Sequence, residues 1–144
     1  VRTVRITLPA GTMAVPTARR FTSDTLLDWR LPDRAREITE LVVSELVGNA
    51  VEHGGGRAEL VISLLADTVR VDVLDHDRQP PVVRSPEPIG DRHRGLLIVA
   101  ALSTRWGTHR VGTGKSVWAE LPCVSGDTGH DIAPPDLRPP TIVR

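Results

Sequence analysis

Apolar and polar positions along the chain change period several times, and each change marks an element. Val4 to Leu8 alternates weakly, as a short strand does, and Ala14 to Trp29 spaces Val15, Ala18, Phe21, Leu26 and Trp29 at roughly helical intervals. Pro32 near a helix start, Asp33 in its first turn and the Gly54-Gly55-Gly56 run behind it predict a long helix over residues 33–53. Two period-two segments follow. Leu60, Ile62 and Leu64 alternate against Glu59, Val61 and Ser63, and Val69, Val71 and Val73 alternate against Arg70, Asp72 and Leu74, with a hairpin expected at Ala66-Asp67. Asp75 lies two residues beyond Val73 on the valine face, where an acid needs a partner.

Arg78 to Arg94 carries four prolines and no periodicity, so a long irregular loop is expected, of the kind that serves as a lid or binding loop. GLLIVAAL, Gly95 to Leu102, reads as an apolar helix. Trp106 to Val111 and Ser116 to Leu121 read as a closing strand pair around the turn Gly112-Thr113-Gly114. Residues 123–144, with Pro134, Pro135, Pro139 and Pro140, are poor in apolar side chains and are expected to be an unstructured tail. The organisation read from this is one domain over 1–122 and that tail.

Composition narrows the function classes. The chain has 144 residues, 40% of them hydrophobic, enough for one domain with its own core. Lys+Arg and Asp+Glu both number 18, so no global basic field favours direct binding of nucleic acid or an anionic membrane. Cys123 is the single cysteine and no early apolar run suits a signal peptide or membrane span, which predicts a cytoplasmic protein without disulfides. Lys115 is the single lysine among the 18 basic residues.

The candidate chemistry lies in SELVGNAVEH, Ser44 to His53. At about 100° per residue, Ile38, Leu41, Val42, Glu45, Leu46, Asn49 and His53 share one helix face, and Glu45 and Asn49 are expected at its centre. Two readings of this pair stay open. The two side chains are satisfied by each other at i,i+4 or by local backbone, or the face borders a pocket where the acid serves as a base and the amide oxygen helps hold a metal.

Glu45-x-x-x-Asn49-Ala50-x-x-His53 resembles the N box of the Bergerat-fold ATP-binding domains, the superfamily of gyrase, histidine kinases and mismatch-repair ATPases. The other boxes follow in order. Asp75 matches the acid that accepts a hydrogen bond from the adenine amino group; Arg94-Gly95-Leu96-Leu97-Ile98-Val99 resembles the second glycine box; Gly112-Thr113-Gly114-Lys115-Ser116-Val117-Trp118 resembles the final one. The likeness spans about residues 4 to 122, and RGLLIVAALSTRWG is most similar to small actinobacterial histidine-kinase-like domains related to anti-sigma-factor serine kinases.

The resemblance implies an α+β two-layer sandwich, a mixed and mostly antiparallel sheet covered on one face by helices. It implies ATP and Mg2+ as cofactors. Glu45 would activate the nucleophile, Asn49 would hold magnesium, and Asn49, Asp75, Arg94, Gly95, Leu96, Gly114, Lys115 and Ser116 would bind ATP. In the second glycine box, amides at a helix start would meet phosphates. His53 is read either as a helix-end cap or as a phosphate contact. The implied function is phosphate transfer to a serine or threonine of an antagonist protein, by a regulator that also binds a sigma factor and dimerises. The alternative is a non-catalytic, nucleotide-dependent interaction module.

Two departures favour that alternative: Asp77 and His93 stand where the family usually has glycine, adding bulk and removing backbone freedom. Gly90 is a partial replacement. Of the loop arginines Arg78, Arg84, Arg92 and Arg94, only Arg94 is assigned to phosphate. A P-loop ending in Gly114-Lys115-Ser116 is excluded, because His109 occupies the required glycine position and Val117, Ala119 and Leu121 alternate as a strand instead of a helix.

Overall fold

The computed structural model describes residues 1–53, 57–75, 91–112, 114–123 and 141–143. Strand β1 (Arg2–Thr7) leads through a short 3-10 turn to helix α1 (Ala14–Asp28) and then helix α2 (Asp33–His53). Strands β2 (Ala58–Leu65) and β3 (Thr68–Asp75) precede helix α3 (Asp91–Leu102), and strands β4 (Arg105–Val111), β5 (Gly114–Pro122) and β6 (Thr141–Val143) complete the sheet. Strand order is β1-β2-β3-β5-β4-β6, antiparallel except for the parallel pair β4·β6. The expected two-layer α+β architecture with a mixed sheet is what the structure has.

Strand parity sets the two sheet faces. Val69, Val71, Val73 and Asp75 of β3 lie opposite Leu121, Ala119, Val117 and Lys115 of β5, and this face turns toward the core with Leu60 and Ile62 of β2. The core closes when α1 and α2 lay Ala14, Ala18, Leu26, Val42, Val43, Leu46 and Val47 against it. Thr22 is buried in α1 as well, its hydroxyl donating to the Ala18 carbonyl at 2.7 Å, which satisfies a polar group that burial would otherwise penalise. The β2–β3 hairpin closes in two residues, with Ala66 at φ 49, because such tight turns need the left-handed conformation.

Two differences from the sequence reading exceed a residue or two at a strand end. Helix α3 begins at Asp91 rather than Gly95. Its first turn, Asp-Arg-His-Arg, has no apolar residue, so periodicity gives no sign of it. The tail contributes β6, with Thr141, Ile142 and Val143 paired to Gly107, Thr108 and His109, and Cys123 N–H donates to the Asp67 carbonyl at 2.8 Å. Residues 124–140 lie outside the described residues, as do Gly54 to Gly56 and 76–90.

Candidate nucleotide site

Helix α2 brings Glu45 and Asn49 together, one turn apart. They do not occupy the centre of its buried face as expected: the fully buried stripe runs through Thr39, Val42, Val43, Leu46 and Val47, while Glu45 and Asn49 are half-buried on its flank and Leu41 is exposed. The shift has a packing cause. The helix contacts α1 and α3 as well as β2, β3 and β5, so the buried arc is broader than a single-face pattern suggests. Among the described residues neither Glu45 nor Asn49 makes a side-chain hydrogen bond, whereas Ser44 beside them donates to the Glu40 carbonyl at 2.9 Å. Mutual i,i+4 satisfaction is therefore not what this pair does.

Gly95 is the residue that faces Glu45. A Cβ built at Gly95 would lie 2.6 Å from Glu45 Oε2, closer than real Cβ atoms approach an oxygen, so the bare glycine backbone makes room for the carboxylate. Glycine serves here by omission. The sequence reading assigned Gly95 and Leu96 a different task, offering main-chain amides at a helix start. With α3 starting at Asp91, those two amides fall within the intrahelical ladder, and the unpaired donors belong to the residues before Arg94. The side chains of Arg94, His93 and His53 lie outside the described set, as do Asp77, Gly90, Arg78, Arg84 and Thr113.

Asp75 ends β3 on the core-facing side at 5% exposure, paired with Ala58 of β2 and Lys115 of β5. The chain from His53 to Ala58 covers five residue steps, which holds the end of α2 within about 18 Å of the strand position beside Asp75. The end of α3 is tied to the far end of the sheet, where Thr104 N–H donates to the Glu120 carbonyl at 2.8 Å. Its twelve residues, roughly 18 Å of helix, run back to place Gly95 at Glu45.

Gly114 and Ser116 sit on the opposite face from Lys115. Ser116 is 1% exposed and its hydroxyl donates to Asp72 Oδ1 at 3.3 Å, so its side chain is not brought to the Asp75 face. The alternation of Val117, Ala119 and Leu121 already carried that parity in the sequence. On the same outer face Arg70 bonds Asp72 and Glu120 and lies 4.4 Å from the Trp118 ring centroid.

Magnesium and ATP can be tested against these residues. Among the described residues no group of three or more His, Cys, Asp or Glu could hold a metal ion. A magnesium held by one amide oxygen and by phosphates needs no such group, since Mg2+ keeps waters and binds through few protein ligands. Asn49 fits that use. Gly95 leaves room for the half-buried carboxylate of Glu45, and the buried acid Asp75 ends β3 on the core-facing side.

A family model described as histidine kinase-like ATPase domain matches residues 8–121. The chain belongs to this family. It is an ATP-binding domain of the histidine kinase-like type, and such domains generally take their ATP with Mg2+. No curated protein matches the sequence. No helix among the described residues is long and apolar enough to cross a membrane.

Proposed function

We propose that this domain transfers the terminal phosphate of ATP to a serine or threonine hydroxyl of a protein antagonist, in the manner of the anti-sigma-factor kinases it resembles. What supports the reading is Glu45: half-buried, without a hydrogen bond among the described residues, and given space by Gly95. Its carboxylate takes the proton of the attacking hydroxyl as the new O–P bond forms and the bond to the β,γ-bridging oxygen breaks, releasing ADP. Asn49 is assigned to magnesium, which supplies charge neutralisation along the phosphates. Asp75 is assigned to the adenine amino group.

The partner set goes with the proposal: a sigma factor, its antagonist, and a second copy of the chain, acting in the cytoplasm. The test is transfer of radiolabelled phosphate from ATP to a candidate antagonist. Label appearing on its serine or threonine with the native chain, and absent with Glu45→Ala, supports the kinase; equal labelling by both proteins sinks the assignment of Glu45.

One observation favours a second reading, a module that binds nucleotide without transferring phosphate. The amides of Gly95 and Leu96 are engaged within α3 and are not free for phosphate oxygens. In that case ATP binds and Asp75→Asn weakens it, yet no label moves to any partner.

A further inference from the structure

The face that carries Asp75 also carries the chain's single lysine. Asp75 and Lys115 are direct partners in the β3·β5 ladder, on the side shared by Val71, Val73, Val117 and Ala119. Side chains opposed in this way stand about 4.5–5.5 Å apart at Cβ, close enough to meet two neighbouring atoms of one ligand. Lys115 is half-buried, and among the described residues its ammonium has no hydrogen bond or ion pair. On its other side the ladder places Arg110, an exposed like charge that offers the ammonium no partner.

We infer that Lys115 completes the purine-recognition edge that Asp75 begins: Asp75 accepts from the exocyclic amino group of adenine and Lys115 donates to ring nitrogen N1. The inference rests on the reading of Asp75 as the adenine acid. The two adjacent groups of the adenine edge are a donor and an acceptor, and the strand pair offers an acceptor and a donor in the same adjacency. In the same pose guanine presents a carbonyl oxygen to Asp75 and an N–H to Lys115, so both contacts become unfavourable. A lysine suits this use better than an arginine, since a compact ammonium satisfies a single ring nitrogen where a guanidinium fork seeks two acceptors.

Calorimetry on the full chain with magnesium tests it, using ATP, GTP and 1-deaza-ATP, in which a C–H replaces N1. The native chain is expected to bind ATP at least about tenfold more tightly than 1-deaza-ATP or GTP, the size of a hydrogen bond to a charged group. Lys115→Met is expected to lose about tenfold for ATP and to bind ATP and 1-deaza-ATP alike, with Lys115→Arg recovering part of the loss. An unchanged thermal midpoint separates these effects from misfolding. Equal weakening of ATP and 1-deaza-ATP by Lys115→Met would assign the lysine to phosphate and overturn the inference, as would native GTP binding equal to ATP. If Asp75→Asn weakens ATP while Lys115→Met does not, only Lys115 is misassigned; if the native chain binds neither nucleotide, the underlying reading falls with it.

Discussion

Gly95 and Glu45 are fitted to each other: a Cβ at position 95 would stand 2.6 Å from Glu45 Oε2. Gly95→Ala therefore pits two effects against each other, a gain of about 1 kcal/mol in helix propensity and a displaced carboxylate. The carboxylate is the mobile end of a side chain and can turn away, so the thermal midpoint should hold or rise slightly. Phosphate transfer should drop at least tenfold while ATP affinity changes less than threefold. In a Glu45→Ala background the same substitution should stabilise by about 1 kcal/mol, measured by urea unfolding, since the clash is gone.

Magnesium should bind only with nucleotide. The described residues contain no cluster of acids, cysteines and histidines able to hold the ion alone. Calorimetric titration with Mg2+ alone should show no heat of binding, and Mg2+ should strengthen ATP binding in the native chain. Asn49→Ala should abolish that enhancement while leaving metal-free ATP affinity within about twofold; an unchanged enhancement would remove Asn49 from the metal.

Trp118 holds the outer face of the sheet. It is 7% exposed, stands opposite Gly107 in the β4·β5 ladder, and is covered by Arg70 and Arg105 at 4.4 and 5.7 Å from its ring centroid. Trp118→Ala should cost about 3 kcal/mol, the lower end of the range for buried aromatics because part of its cover is mobile charged side chain. Urea unfolding measures this, and a loss under 1 kcal/mol would show that the Arg70 network holds the face without the ring.

Cys123 should react slowly as a nucleophile. Burial pushes its thiol pKa up, and the charge of Asp67 adds to the rise. The neutral thiol is thus favoured in the folded chain. That contribution to stability is complete below the unfolded thiol pKa and is lost as pH rises through the folded one. Iodoacetamide alkylation of the folded chain should inflect at higher pH than in urea, and Asp67→Asn should move the inflection down.

What was legible in the sequence was set by local periodicity and punctuation. Helix α2 runs over the predicted residues because Pro32, Asp33 and the glycine run bound a helical repeat, and Asp75 faces inward because strand parity passes from Val73 without a break. Ser116, which the sequence reading placed in the ATP site, lies on the outer face with its hydroxyl on Asp72. Tertiary structure decided the rest. Glu45 and Asn49 lie at the flank of the buried stripe because α1 and α3 share α2 with the sheet, a competition that no single-helix pattern contains. Gly95 faces Glu45, Lys115 faces Asp75, and β6 joins β4 because of how distant segments pack and pair, and the chain's local pattern carries no record of which distant neighbour a residue will meet.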